Sequence, residues 1–183
     1  MHGESHESTH FVEPIPADNL NRDLIIAQPD TDATLPHIGL AGDTYTILLS
    51  GKDTAGQYCL IDMHVPPGGG PPPHRHDFEE TFSILNGELE FTFRGEKKTA
   101  GAGTTVHIPA NAPHQFRNIS AEPARMLCIC SPAGQEEFFT KIGVAVATRT
   151  TVPPKLGEAA AAEFRAKAMA LAGQYRTEGV RQG

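Results

Sequence analysis

The chain has 183 residues and a formal net charge of −7 with its nine histidines neutral. That length suits one domain with tails, and the acidic balance, without any cluster of Lys or Arg, argues against nucleic acid as a partner. No apolar run reaches the roughly 18 residues of a membrane span, and the opening MHGESHESTH lacks both the basic and the apolar region of a secretion signal, so no membrane partner and a cytoplasmic location are expected. The cysteines, Cys59, Cys128 and Cys130, are an odd number set inside apolar runs and read as buried thiols of a reducing compartment.

In chain order, residues 1–35 are polar and broken by Pro14, Pro16 and Pro29, which predicts an irregular N-terminal arm holding one short strand over residues 24–27. His2, His6 and His10 belong to that arm; their spacing of four would gather metal on a helix, but Gly3 and the intervening Ser and Thr disfavour one. Residues 36–150 form the domain. Tyr45, Ile47 and Leu49 alternate, as do Cys59, Ile61, Met63 and Val65, which is the period of a strand with one buried face. Residues 82–85 and 89–93 flank Asn86-Gly87, a dipeptide suited to the positive φ angles of a tight hairpin. Further strands follow at 104–108 and 125–131. Strands at this spacing with no helix between them predict an antiparallel barrel or sandwich. Residues 135–142 form a short helix with Phe138, Phe139 and Ile142 on one side. Residues 151–183 are a helical tail, with Ala161, Phe164, Ala168 and Leu171 at helical spacing over 157–175, lying against the barrel or a partner subunit.

The chemistry is concentrated in GGGPPPHRHDFEETFSILNGELEF and GTTVHIPANAPHQFRN. Side-chain direction repeats every two residues on an extended chain, so His74, His76 and Glu80 share one side, whereas Glu79, Arg75 and Arg117 point away. His114 can supply a third imidazole from an antiparallel neighbour. Three imidazoles and one carboxylate suit a single divalent transition metal: Fe, Mn, Ni, Co, Cu or Zn. The Gly68 loop lacks the Lys-Ser/Thr ending of a phosphate loop and is expected to be a stiff rim. His64 and His107 fall outside the pattern and are read as structural or surface groups.

Both segments resemble the two signature motifs of the cupin superfamily. The first matches G-x5-H-x-H-x3-E-x6-G at Gly68, His74, His76, Glu80 and Gly87. The second matches G-x5-P-x-G-x2-H-x3-N at Gly103, Pro109, His114 and Asn118, with Asn111 in place of a glycine; Asn tolerates the left-handed backbone such a turn needs. The resemblance implies an all-β cupin barrel of the jelly-roll or double-stranded β-helix type, with metal ligands at His74, His76, Glu80 and His114.

Four protein ligands leave room on the metal for substrate, and Glu80 is the candidate catalytic base for a bound enol or phenol. Met63, Phe82, Ile84, Phe91, Phe93, Phe116 and Met126 are the candidate apolar wall for a small apolar or aromatic substrate. With the Pro-rich run before His74 and the SPAGQEEFF segment after the barrel, the chain is similar to single-domain quercetinase-like cupins. That likeness implies a flavonol-type dioxygenase using dioxygen. A redox-neutral isomerase, cyclase or lyase with the same ligands, and a binding cupin without turnover, remain open. An edge sheet and an extended arm favour a homodimer.

Overall fold

A computed structural model describes residues 14–180. His2, His6 and His10 lie outside the described residues. The strands in chain order are β1 (His37–Leu40), β2 (Asp43–Leu49), β3 (Cys59–Val65), β4 (His74–His76), β5 (Glu79–Asn86), β6 (Glu88–Phe93), β7 (Glu96–Gly101), β8 (Thr105–Ile108), β9 (His114–Asn118) and β10 (Ala124–Ser131). Helix α1 (Gln135–Ile142), β11 (Val144–Ala145), α2 (Glu158–Ala172) and β12 (Thr177–Gly179) follow.

Two antiparallel sheets face each other, ordered β11-β1-β2-β3-β10-β5-β8 and β12-β4-β9-β6-β7. This is the all-β jelly roll of the cupin type. The alternating strands bury one face each: Cys59, Ile61, Met63 and Val65 of β3 and Phe82 and Ile84 of β5 are all buried. Between the sheets, the rings of Phe82, Phe91 and Phe116 lie with centroids 5.5–6.0 Å apart, in tilted and edge-on pairs that match the quadrupoles of aromatic faces and edges. The outward side of β3 carries Asp62, fully buried and bound by the Arg125 guanidinium from β10.

Three loop details aim the sheets at each other. The hairpin between β5 and β6 turns at Gly87, whose φ of 83° and approach to Ala124 leave no room for a Cβ. Asn111 takes the left-handed backbone, φ 69°, and its amide donates to the His76 carbonyl at 2.6 Å, so the departure from Gly is absorbed. Gly68 and Asn118, the outer residues of the two sequence motifs, are joined because the Gly68 amide donates to the Asn118 carbonyl at 2.8 Å.

Residues 24–27 form no strand and pair with neither sheet, and Leu24 and Ile26 are exposed. The last strand, β12, has little strand character in its Thr-Glu-Gly sequence, yet it pairs antiparallel with β4, placing Thr177 opposite His76 and Gly179 opposite His74. The free edge of β4 accounts for it, because unpaired backbone groups there recruit any extended segment. Helix α2 is thereby tethered at its end and lies across the barrel mouth, where Phe164, Ala168, Leu171 and Ala172 pack on the core. No helix of the described residues is long and apolar enough to cross a membrane.

The Gly/Pro loop before β4 depends on Gly70. A Cβ there would sit 2.1 Å from the Phe116 carbonyl oxygen, and the φ of 128° is one that other residues avoid. Gly70→Ala is therefore expected to destabilise the protein by about 2 kcal/mol. Urea denaturation measures this, and an unchanged midpoint would show that the loop does not rest on β9 in this way.

Candidate metal centre

Two neighbouring strands of one sheet and one strand of the facing sheet supply the four candidate ligands. His74 and His76 stand on β4, Glu80 is the second residue of β5, and His114 opens β9, where it is the direct cross-strand partner of His74. Their ligand atoms all lie within 4.8 Å of one another. His76, Glu80 and His114 are buried, and the His76 ring is stacked on Phe78 with centroids 3.9 Å apart.

Each imidazole is fixed by the backbone. The Nδ1 atoms of His74, His76 and His114 lie 2.9 Å from the carbonyls of Pro72, Phe78 and Ala112. A carbonyl only accepts, so each Nδ1 carries its proton and each neutral ring keeps a lone pair on Nε2. The Nε2 atoms of His76 and His114 lie 3.0 and 3.1 Å from Glu80 Oε2. Two nitrogen lone pairs and a carboxylate oxygen at that separation repel unless a cation stands among them. A proton can serve: burial alone would raise the Glu80 carboxyl, but the hydrogen bonds of His114 and His76 outweigh it and hold it well below the usual carboxylate range. Burial would lower His114, and Glu80 outweighs it and raises it. A divalent metal meets the same demand with twice the charge, and three neutral imidazoles with one carboxylate are a donor set that iron, manganese, nickel, cobalt, copper or zinc accepts. His74, pushed down to about 4 by burial and by the neighbouring His114, stays neutral and ready to ligate.

The other carboxylate oxygen, Glu80 Oε1, accepts from the Cys128 thiol at 3.3 Å, with Cys130 at 3.8 Å. Burial pushes the Cys128 thiol up to about 12, so it remains a neutral donor. All three cysteines are free and fully buried. The two-residue spacing places Cys128 and Cys130 on one face of β10; that this face touches Glu80 follows from the pairing of β10 with β5, in which Cys130 stands opposite Glu80.

Beside the centre lies a cavity of about 360 Å³, with His74 and Glu80 in its wall. Of the candidate substrate residues, Met63 and Phe116 line it. Phe82, Ile84, Phe91 and Met126 are buried deeper in the barrel core, and Phe93 packs partly buried against that core. Helices α1 and α2 supply the opposite wall through Phe138, Phe139, Phe164 and Ala168. Glu79 faces outward and pairs with His107 at 3.1 Å, and Arg75 pairs with Glu178 of β12. His64 is half-buried on β3, and Glu80 opposes Ile108 of β8, so neither His64 nor His107 belongs to the cluster.

Two further residues of the cavity were not singled out from the sequence. Asp43 and Tyr45, both buried on β2, face the cavity, and the Tyr45 hydroxyl donates to Asp43 Oδ2 at 3.0 Å. The signal for Asp43 is its parity with Tyr45 and Ile47, which turns it to the buried face. Burial raises the Asp43 carboxyl to about 7 against the opposing pull of Tyr45 and the Gly70 amide.

Residues 61–130 match the family model described as the Cupin domain. Over those residues the barrel is similar to the cupin family. The chain is 29% identical over 106 residues to quercetin 2,3-dioxygenase of Bacillus subtilis (strain 168), covering 57% of this chain and 31% of that protein. It is 33% identical over 100 residues to polyketide synthase CurC of Streptomyces cyaneus, covering 53% of this chain and 64% of that one. The chain thus spans less than two thirds of either curated relative. The polyketide cyclase RemF from Streptomyces resistomycificus has a solved structure that superposes with a TM-score of 0.51 at 25% identity, over 59% of this chain and 80% of that one. The chain is thus similar to the Bacillus quercetin dioxygenase over its barrel, and its His/Glu cluster could hold a metal.

Two outcomes are expected. His114→Ala leaves an incomplete donor set, so the variant purified without chelator or metal-affinity resin should lose most metal relative to the parent by elemental analysis. Equal metal content would remove this site. For Asp43, the folded carboxyl keeps its proton up to about pH 7 while the unfolded chain releases it near its ordinary value of about 4. Folding binds a proton across that window, so the contribution of Asp43 to stability declines as pH rises through it. Asp43→Asn should therefore lose less stability than the parent between about pH 5 and about pH 8. Parallel denaturation curves for the two proteins at both pH values would contradict the assignment.

Proposed function

We propose that this chain is a metal-dependent cupin dioxygenase acting on an enolic or phenolic, flavonol-like small molecule, with one divalent transition metal held by His74, His76, Glu80 and His114. The observation that carries the reading is the convergence of three backbone-oriented imidazoles and one carboxylate beside a largely apolar cavity whose wall includes His74 and Glu80. When bound, such a metal supplies a Lewis acid that acidifies a coordinated hydroxyl and brings substrate and dioxygen together.

The chain's own residues do the rest. Glu80 accepts the proton that the substrate hydroxyl gives up, and the Cys128 thiol holds the second carboxylate oxygen so that the first stays directed at the imidazoles. Met63 and Phe116 hold the flat face of the ring, backed by the core aromatics Phe82 and Phe91. Helix α2 contributes Phe164 and Ala168 to the cavity wall, and their apolar surface lowers the polarity around the bound substrate.

The similarity to a polyketide synthase and a polyketide cyclase supports a second reading, a redox-neutral cyclisation of a polyketide-type enol by the same residues. We further infer a homodimer. It rests on the exposed apolar residues of the arm, with Ile15, Leu20, Leu24 and Ile26 facing solvent in the single chain. The free, buried thiols support a reducing, cytoplasmic setting.

Oxygen uptake by metal-reconstituted protein with quercetin as substrate tests the first reading. Product formed without oxygen consumption would move the assignment to the cyclase, and binding without product to a ligand-binding cupin. Glu80→Gln should keep part of its metal and lose at least about 100-fold in turnover, since an amide cannot take the proton. Full turnover in that variant would show that another group is the base.

A further inference from the structure

The cavity holds one polar pair that the metal centre does not use. Asp43 and Tyr45 both line it, and Asp43 is only 3% exposed. Asp43 Oδ2 is engaged by the Tyr45 hydroxyl, while Oδ1, which stands beside the Gly69–Gly70 loop and feels the Gly70 amide, makes no full hydrogen bond; it is the only buried side-chain oxygen or nitrogen among the described residues of which this is true. A buried carboxyl kept for structure would use both oxygens, because each unsatisfied polar atom in an interior costs stability. The structural carboxylate of the same domain, Asp62, does so: Arg125 engages both its oxygens. Asp43 contrasts with it inside one barrel.

Ring packing holds the pair in place. Tyr45 stacks at a tilt on Phe139 of α1, centroids 5.1 Å apart, so its hydroxyl is carried by a side chain gripped on the far wall of the cavity. The other titratable or charged groups that line the space are His74 and Glu80 at the metal centre and Arg165 of α2. Most of the remaining lining is apolar, including Met63, Phe116, Phe138 and Ile142.

We propose that the Asp43–Tyr45 pair is a second substrate-binding subsite, which recognises a hydroxyl on a flat aromatic ligand whose other end lies at the metal centre. The inference rests on the reading of this cavity as the substrate chamber. Hydrogen-bond bookkeeping selects the hydroxyl. With Asp43 ionised, the Tyr45 proton is spent on Asp43 and the pair offers only acceptors, so the ligand must donate. With Asp43 neutral, its O–H can donate to the Tyr45 oxygen and the Tyr45 hydroxyl turns outward as a donor, so the ligand must accept. A hydroxyl meets both cases, an ether or a ketone only one. Burial keeps Asp43 poised between the two forms near neutrality, and an ammonium ligand would lose its hydration against largely apolar walls.

The test uses the metal-loaded full chain and two probes of nearly the same shape, 2-naphthol and 2-methylnaphthalene, titrated by fluorescence. The ratio of their Kd values is compared among the parent, Tyr45→Phe, Asp43→Leu and His114→Ala, so that the different water solubilities of the probes cancel. Loss of one hydrogen bond should shift the ratio against 2-naphthol by about tenfold in Tyr45→Phe and in Asp43→Leu, and leave it within about twofold of the parent in His114→Ala. Tyr45→Phe keeps the ring contact with Phe139, so it decides the matter even if Asp43→Leu does not fold. An unchanged ratio in Tyr45→Phe overturns the subsite, as does a parent that binds neither probe. A shift confined to His114→Ala places the hydroxyl on the metal and overturns the subsite while leaving the metal reading intact. A shift in Tyr45→Phe supports the subsite even if quercetin brings no oxygen uptake, so the two proposals fail separately.

Discussion

Three Nδ1–H groups donating to three backbone carbonyls are the constraint on which the site depends. Because the carbonyls of Pro72, Phe78 and Ala112 each accept from the Nδ1–H of the histidine two residues away, the rings of His74, His76 and His114 can neither flip nor change tautomer without losing a hydrogen bond, which for His76 and His114 is buried. Their Nε2 lone pairs are thus directed inward before any ligand arrives. Glu80 completes an arrangement in which lone pairs face a carboxylate, stable only around a cation. The backbone prepares the coordination geometry, and the metal has little reorganisation left to drive.

The same β-ladder that builds the centre also anchors the wall beside it. Strand β4 is short and sits at the edge of the barrel's core sheet, and its free side is taken by β12 after the chain has passed through α2. The ion pairs Arg75–Glu178 and Arg176–Asp77 lie along this seam at the surface, where such pairs contribute little stability. The backbone ladder and the packing of Phe164 and Ala168 carry the attachment. One segment therefore both supports the strand that bears two of the candidate ligands and lines the adjoining cavity, which ties the shape of the cavity to the integrity of the candidate site.

Much of this was legible in the residues. Period-two alternation in 59–65 and the Asn86-Gly87 turn announce the strands, and strand parity alone separates His74, His76 and Glu80 from Glu79 and Arg75. Parity reports which way a side chain faces and not how far along the barrel axis it sits. Phe82 and Ile84 share the inward parity of Glu80 but lie deeper, where inward means core, while Met63 and Phe116 lie near the mouth, where it means cavity. Asp43 opens a strand after Gly42, a place where Asp ordinarily marks a turn, so its burial is visible only once Tyr45 fixes the face. Residues 24–27 are apolar enough for a strand but pair with neither sheet, whereas Thr177–Gly179 has no strand signal and joins one because the edge of β4 is available. Pairing partners, which are distant in sequence, decide both cases.

The central claim is that three imidazoles and Glu80 hold one divalent metal. A competing cluster exists one step away, since Glu80, Cys128 and Cys130 also lie within ligand distance of one another. X-ray absorption spectroscopy on protein carrying one equivalent of nickel or zinc separates them. The account predicts a shell of nitrogen and oxygen at about 2.0–2.2 Å with imidazole scattering and no sulfur. A sulfur shell at about 2.3 Å would place the metal on the thiols and contradict it.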